Sequence, residues 1–355
     1  MILFGLRGVG SGNACLPAVK ILKETVPVSV YAEEPAFSRF RDHFDLIPES
    51  EWEGLLDRFH PSLVVATCAT IGGNIPKHLI HEAKKRNLPV VLVEDNWNSH
   101  SSFDWPILPD GVCLVNEFAK KLLLQSWPRY PESNIHITGA PVFDKYSKAQ
   151  TENAGSRLRR FLCLDEDWPV VFFIGENWGM PQAVSMLVYA LNIINLPVYF
   201  ILRDHPTMVA PNAPDEYKHL YAEYHDVLKK LWVGPVIDSR ELTSNEVLAG
   251  SDVVVGICST MLEEACYLRQ PVINVWTPEI GQILFDKARY TYEEQPITYL
   301  GASLKAESVK EIRSCLQRIL AGDTVAMLQA QQKHFQTDGL SGERVAKAIL
   351  NYYKC

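Results

Sequence analysis

Short apolar runs alternate with amphipathic stretches along most of the chain. Runs such as Met1–Leu6, Pro89–Glu94 and Val170–Ile174 are largely apolar and too short for buried helices. They predict strands that are buried on both faces of a sheet. Stretches with apolar residues at helical spacing, such as Glu117–Gln125 and Asp215–Leu231, predict helices among these strands. The alternation favours parallel sheets that are covered by helices.

The alternation occurs twice, and a polar interval over Phe143–Asp167 separates the two series. The second series ends in two stretches that predict helices, Leu304–Leu320 and Thr324–Gln336. We therefore predict an α/β protein with two Rossmann-like domains whose parallel sheets face each other across a cleft. The predicted boundaries are 1–145 for the first domain, 146–167 for a linker, 168–336 for the second domain and 337–355 for a final segment with an amphipathic helix.

Composition and charge argue against several classes of function. The 355 residues carry a net charge of −8 without long runs of Lys or Arg, so nucleic acid is an unsuitable partner. No apolar run approaches the roughly 18–20 residues of a membrane helix, and the first residues lack the pattern of a signal peptide. The eight cysteines form no C-x-x-C pair, which predicts a reducing, cytoplasmic setting and no zinc cluster.

The segment Ser251–Val275 carries the strongest chemical signal. Val253–Val255 predicts a buried strand, and Gly256–Ser259 is a turn of small residues. The sequence from Thr260 to Glu263 then fits the Ser/Thr-x-x-Glu capping box at the start of a helix. Free N–H groups and the helix dipole attract anions at such a position, so we predict a nucleotide diphosphate there. The alternative is an ordinary strand–helix turn without a ligand.

Four segments together resemble the GT-B glycosyltransferase superfamily. They are the glycine-rich turn Gly8–Gly12, the segment Ile137–Asp144 (ITGAPVFD), Arg203–Pro206 (RDHP) and Ser251–Val275. The superfamily includes the non-hydrolysing UDP-N-acetylglucosamine 2-epimerases and lipid-A-disaccharide-synthase-like enzymes. The resemblance implies a transferase of polysaccharide biosynthesis that uses a nucleotide diphosphate sugar as co-substrate and no other cofactor. It also implies that the last helix returns to the first domain.

Carried onto this sequence, the resemblance implies that Ser259 and Thr260 meet the donor phosphates and that Glu264 meets the ribose. The helix geometry agrees with Glu264, because Glu263 at the third position of the capping box is occupied and its neighbour is turned by about 100°. Polar residues that follow other predicted strands complete the set. The candidate donor-binding residues are Gly10, Ser11, Glu176, Asn177, Arg203, His205, Ser259, Thr260 and Glu264.

The catalytic base of a transferase should come from the first domain. Glu94, Asp95 and His100 follow a predicted strand in the sequence VEDNWNSH, and we regard them as the candidates. Neighbouring carboxylates at a strand end can raise one pKa towards neutrality. Cys68 and Thr70 also follow a predicted strand, but they are weaker candidates for the base.

An epimerase is the first alternative. Glu94 and the sequence Glu263–Ala265 match that family, but Ala66–Cys68 lacks the expected aspartate and Val93–Trp97 lacks the expected arginine. Epimerisation through elimination needs an acid and a base, so the absence of the aspartate counts against it. The transferase prediction has its own departure at Arg269-Gln270, where relatives often have Gly-Lys.

Two further alternatives remain open. Gly8 and Gly10 after a strand, with Glu33 and Glu34 after the next strand, resemble a dinucleotide fingerprint and would suit an NAD-dependent oxidoreductase. Asn13 stands where the third glycine of that fingerprint is expected. The other alternative is a non-catalytic module that binds a nucleotide sugar. The prediction we favour is transfer of a sugar, or a similar group, to a hydroxyl acceptor.

Overall fold

Two separate parallel sheets organise the chain in a computed structural model. The structure describes residues 1–68, 77–97, 100, 107–147, 157–210, 213–288, 290 and 293–353, without the side chains of residues 11, 68 and 288. The chain folds as two compact units, of which the first combines Met1–Ser147 with Thr337–Cys355 and the second is Lys148–Gln336. The predicted class of two parallel α/β domains is confirmed.

The first unit contains a seven-stranded sheet in the order β3-β2-β1-β4-β5-β6-β7. Apolar strands at its centre are completely buried, as the continuous runs predicted. The order reverses between β1 and β4, which is the position where open parallel sheets bind ligands at the carboxyl ends of their strands. The strands are β1 (Ile2–Leu6), β2 (Val28–Ala32), β3 (Ile47–Pro48), β4 (Leu63–Cys68), β5 (Val90–Glu94), β6 (Gly111–Leu114) and β7 (Ile135–Ile137).

The second unit contains a six-stranded parallel sheet in the order β10-β9-β8-β11-β12-β13. Its order reverses between β8 and β11, so the loops after these strands lie at the corresponding position. The strands are β8 (Val170–Ile174), β9 (Tyr199–Arg203), β10 (Val236–Ile237), β11 (Val253–Gly256), β12 (Val272–Val275) and β13 (Leu304–Ala306).

Helices cover the two sheets, and none of those within the described ranges is long and apolar enough to cross a membrane. In the first unit the helices are Val9–Leu22, Ala36–Phe40, Leu55–Phe59, Lys77–Lys85, Glu117–Ser126 and Ser341–Leu350. In the second unit they include Met180–Ile194, Asp215–Leu228, Ser244–Gly250, Thr260–Tyr267, Pro278–Ala288, Pro296–Tyr299, Val309–Leu320 and Val325–His334.

Two predicted elements are wrong in part. The predicted turn Gly8–Gly12 lies mostly within a helix that begins at Val9. Gly12 is needed there because a Cβ at this position would overlap the Phe40 ring. The predicted helix Leu304–Leu320 begins with the edge strand β13 and becomes helical only at Val309, after the N-cap Ser308.

The final helix Ser341–Leu350 packs into the core of the first unit. Val345 and Ile349 are buried there beside Val19 and Leu22 of the first helix. The Arg344 guanidinium donates to the Thr138 carbonyl at 2.8 Å, which ties the final segment to the end of β7. Segment Ile137–Asp144 therefore serves as the docking surface for the end of the chain.

Candidate functional site

The loops after β8 and β9 approach each other closely at the carboxyl edge of the second sheet. Ile174 and Arg203 are paired at the ends of these strands, and the Gly175 N–H donates to the Arg203 carbonyl at 2.8 Å. A Cβ on residue 175 would overlap that carbonyl oxygen and would lie 2.8 Å from the His205 nitrogen. Glycine is therefore required for the two loops to lie side by side.

Glu176 follows Gly175 and is only 5% exposed. Burial raises the pKa of Glu176 to about 7, while the polar groups of Cys258 and Ser259 lower it less strongly. Its Oε1 atom is buried and has no hydrogen-bond partner among the residues that the structure describes. A buried polar atom without a partner costs free energy, so this carboxyl is a candidate for ligand binding.

A hydroxyl connects two candidate residues that come from different loops. The Thr207 hydroxyl donates to Asn177 Oδ1 and lies 2.8 Å from His205 Nδ1. Burial lowers the pKa of His205, so the imidazole is neutral near pH 7. Our sequence reasoning missed Thr207, although a hydroxyl two residues after His205 was a visible signal. The structure thus brings Asn177 and His205 together.

Arg203 binds the protein itself rather than pointing into open solvent. Its Nη2 donates to the Ser239 carbonyl at 2.6 Å and to the Leu242 carbonyl, and its Nη1 donates to Ser244 Oγ at 3.0 Å. Nε donates to Ser239 Oγ at 3.3 Å. These contacts use most of the guanidinium donors to fix the loop between β10 and the next helix. Arg203 therefore supports the sheet edge, with little donor capacity left for a phosphate.

The predicted capping box at Thr260 is wrong by one residue. The N-cap is Ser259, whose Oγ accepts from the Met261 N–H at 3.3 Å, and the helix begins at Thr260. Glu263 is buried, with 4% exposure, and does not occupy the third helical position. Glu264 and Ser259 are partly exposed, and Thr260 is exposed. The first turn of this helix therefore presents Thr260 and Ser259 at the same sheet edge as Glu176.

Asn274 is a positioning residue that our sequence reasoning missed. It is completely buried within β12, where its Nδ2 donates to the Ile257 carbonyl at 2.6 Å. Its Oδ1 accepts from the Thr298 hydroxyl at 3.1 Å. A polar residue inside the apolar run of Val272–Val275 was the available signal. Asn274 fixes the loop that leads from β11 to Ser259.

In the first unit, Glu94 and His100 form a buried pair. Glu94 Oε1 lies 2.7 Å from His100 Nδ1 and accepts the His100 backbone N–H, also at 2.7 Å. Both side chains are 0% exposed. Asp95, in contrast, is only half-buried, and its Oδ2 faces the place where a Cβ on Gly10 would lie, 2.7 Å away. Of the three candidate bases, Asp95 is thus the accessible one.

Some sequence predictions fall outside this description. The side chains of Ser11 and Cys68 and the whole of Thr70 lie outside the described residues. The two acids of the possible dinucleotide fingerprint are described, and both have partners in their own unit. Glu34 Oε1 accepts from the Ser38 hydroxyl at 2.7 Å. Glu33 accepts from the Tyr31 hydroxyl at 3.2 Å and lies 3.4 Å from Arg7 Nε.

Two Rossmann-like units with parallel sheets define the GT-B fold, so the suspected resemblance is confirmed at the level of the fold. The UDP-GlcNAc 2-epimerase from Neisseria meningitidis bound to UDP-GlcNAc is 15% identical, with a TM-score of 0.67 over 99% of each chain. A glycosyltransferase from Rickettsia africae is 13% identical, with a TM-score of 0.59 over 98% of each chain. Anabaena HepE in complex with UDP and glucose is 12% identical, with a TM-score of 0.62, over 98% of this chain and 99% of that one.

No family model matches the sequence, and no curated protein matches it either. At identities this low, the three solved structures establish the fold of the chain and leave its reaction to be inferred from the site.

Proposed function

We propose that the protein is a glycosyltransferase that moves a sugar, or a similar group, from a nucleotide diphosphate donor to a hydroxyl acceptor. The observation that carries the proposal is the edge of the second sheet, where the partly exposed Ser259 and the buried Glu176 carboxyl meet at one helix N-terminus. Proteins of the same fold have been solved with UDP-GlcNAc and with UDP and glucose.

In this proposal the donor diphosphate lies at the N-terminus of the helix Thr260–Tyr267. Backbone N–H groups and the helix dipole stabilise the negative charge that grows on the diphosphate as it leaves. Ser259 and Thr260 add hydroxyl groups, and Glu264 accepts hydrogen bonds from the ribose hydroxyls. Arg203 contributes by holding the neighbouring loop.

We assign the role of general base to Asp95, because Glu94 and His100 are buried against each other. The acceptor oxygen attacks the anomeric carbon of the donor sugar, and the bond from that carbon to the diphosphate oxygen breaks. Asp95 takes the proton of the acceptor hydroxyl as this bond forms.

A sugar epimerase is the second candidate, since several solved structures of the same fold are UDP-GlcNAc 2-epimerases. An NAD-dependent enzyme has less support, because Arg7 and Tyr31 occupy the Glu33 carboxyl. A non-catalytic module that binds a nucleotide sugar would use the same edge of the second sheet.

Thermal unfolding with UDP-, GDP-, CDP- and TDP-sugars, and with NAD for comparison, tests the donor class. A ligand that binds only the native state raises the melting temperature, so we expect one nucleotide-sugar group to do so. Glu264→Ala should lose this shift, while Glu241→Ala, which removes an exposed carboxylate of the same unit, should keep it. Stabilisation by NAD alone would contradict the proposal.

Product analysis separates the two reactions. A transferase should release the nucleoside diphosphate only when an acceptor is added. An epimerase should convert the sugar without an acceptor and return it attached to the nucleoside diphosphate, with no net release of the diphosphate, and this outcome would replace the transferase proposal. Binding without either reaction would favour the non-catalytic module.

A further inference from the structure

The Glu176 carboxyl is in an unusual position for an acidic side chain. It is almost fully buried at an edge where the helix N-terminus attracts an anion, and its Oε1 lacks a hydrogen-bond partner within the described residues. Among the residues that the structure describes, no cation acts on its protonation. An ionised Glu176 would therefore place a negative charge beside the negative charges of a bound diphosphate.

A protonated Glu176 would have the opposite effect. A neutral carboxylic acid has an O–H group that can donate to a phosphate oxygen, whereas the carboxylate can only accept. Hydrogen bonds between a donor and an ionised oxygen are among the stronger ones in proteins. The carboxyl already has hydrogen bonds with Cys258 and Ser259. Donation to a phosphate would give its Oε1 side a partner as well and would avoid the repulsion between like charges.

We propose that Glu176 binds the donor diphosphate as a protonated acid, so that binding of the nucleotide sugar brings a proton into the site. This inference rests on the proposed function, because it concerns the same donor. It adds that affinity for the donor depends on pH through one residue of the second unit.

The other titratable groups that the structure describes near Glu176 are not expected to produce the same pH dependence. Burial raises the pKa of the Cys258 thiol well above its ordinary value, which favours the neutral thiol. The phenol of Tyr290 donates to the Cys258 carbonyl oxygen at 3.4 Å. The helix Met180–Ile194 contacts Glu176 through the uncharged side chain of Met180, whose sulfur accepts from the Glu176 N–H at 3.2 Å.

The loop after β9 brings Arg203, Asp204 and His205 to the same edge. Arg203 remains charged in this range. The Asp204 carboxylate accepts from the Tyr224 hydroxyl at 2.7 Å and lies 3.1 Å from His225 Nε2, so this histidine interacts with Asp204. Burial lowers the pKa of His205, so this imidazole is already neutral at pH 7. Among the described groups named here, Glu176 is the one that we expect to change charge between pH 7 and pH 8.5.

Calorimetry with UDP-N-acetylglucosamine on the full chain tests the inference. The pKa of Glu176 in the free protein is about 7. If the ligand binds only the protonated acid, the affinity of the protein for UDP-N-acetylglucosamine should fall about 15-fold between pH 7 and pH 8.5. Titrations at pH 8 in buffers of different ionisation enthalpy should show uptake of about 0.9 proton per ligand, because the free carboxyl is mostly ionised there.

Glu176→Gln keeps the shape of the side chain and removes its titration. We expect this variant to bind with nearly the same affinity at both pH values and without proton uptake. The matched control Glu241→Gln alters an exposed carboxylate and should behave like the native protein. If Glu176→Gln does not fold, the proton uptake of the native protein decides the question alone.

The outcomes separate the inference from the function on which it rests. Binding by the native protein with no proton uptake and no loss of affinity up to pH 8.5 would overturn the inference and leave the proposed function intact. Failure to bind any nucleotide sugar at either pH would overturn the proposed function itself, and the inference with it.

Discussion

Asp144 caps the helix that begins at Ser341, although 197 residues separate the two in sequence. Its Oδ1 accepts from the Ser341 N–H at 3.2 Å, and its Oδ2 accepts from the Gly342 N–H at 3.0 Å. The first N–H groups of a helix have no partners within the helix, and a carboxylate satisfies them while it interacts with the helix dipole. The contact thus joins the end of the first series of strands to the end of the chain.

Asp144→Ala should lower the free energy of unfolding by about 1–2 kcal/mol, the usual cost of losing a side chain that caps a helix. Asp144→Asn should recover part of this loss, because one amide oxygen can still accept a hydrogen bond. Urea unfolding followed by circular dichroism measures both variants. Lys347→Ala, at an exposed position of the same helix, should stay within about 0.5 kcal/mol of the native protein. Equal stability of Asp144→Ala and Lys347→Ala would show that the cap is unimportant.

Gly175 and Gly281 should respond in opposite directions to the same substitution. Gly175→Ala forces a Cβ against the Arg203 carbonyl, so we expect a loss of about 1–3 kcal/mol and a lower melting temperature. Gly281 lies in the helix Pro278–Ala288, where a Cβ would meet nothing closer than 3.4 Å. Gly281→Ala should therefore stabilise by about 0.5–1 kcal/mol. A neutral Gly175→Ala variant would contradict the close approach of the two loops.

Arg203→Lys should destabilise the second unit because an ammonium group cannot replace the planar guanidinium fork. The Ser239 and Leu242 carbonyls lose donors, and we expect a cost of about 1–3 kcal/mol in urea unfolding. The affinity for a nucleotide sugar should change less than the stability does. A large loss of affinity at unchanged stability would instead support a direct contact with phosphate.

His136 should make stability depend on pH in the first unit. Burial lowers the pKa of His136, and its Nε2 lies 3.1 Å from the Tyr352 hydroxyl. The unfolded chain therefore binds a proton more readily than the folded protein does as the pH falls below about 6.5. Stability should decrease as the pH falls through this value towards the lower pKa of the folded state. Melting temperatures of native protein and His136→Gln between pH 8 and pH 5 should converge at acidic pH, and parallel curves would refute this role.

Asp95 and Glu94 should give different phenotypes when altered. Asp95→Asn should lower kcat by about 100- to 10,000-fold, with the affinity for the donor nearly unchanged, if Asp95 is the general base. Glu94→Gln leaves His100 buried beside a neutral amide, so its main effect should be a lower melting temperature. Measurement of turnover and unfolding on both variants distinguishes the two roles. Full activity in Asp95→Asn would remove it as the base.

The strands were predictable because a continuous apolar run has few alternatives in a parallel sheet. The strands Val170–Ile174 and Val272–Val275 have the same bounds in the structure as in the prediction. The helix boundary at Ser259 and Thr260 was harder to predict. Both residues can cap a helix, and the sequence alone does not determine which of them does so. In the structure Ser259 is the N-cap, and Glu263 is buried.

The correct start of the helix that was predicted from Leu304 could have been found in the sequence. Ser308 and Glu311 have the spacing of a capping box, and the structure shows Ser308 as the N-cap of the following helix. Long-range pairs were not predictable in the same way. The contacts of Arg203 with Leu242 and of Asp144 with Ser341 depend on where distant segments meet, which the periodicity of one segment does not specify.

The burial of Val345 and Ile349 beside the first helix has a consequence for synthesis of the protein. The ribosome makes residues 148–336 after the first seven strands and before the helix that completes their core. The second unit can therefore fold on the nascent chain while the first unit still exposes the apolar surface that the final helix covers in the structure. A chaperone that binds during translation should thus protect the part of the protein that was made first.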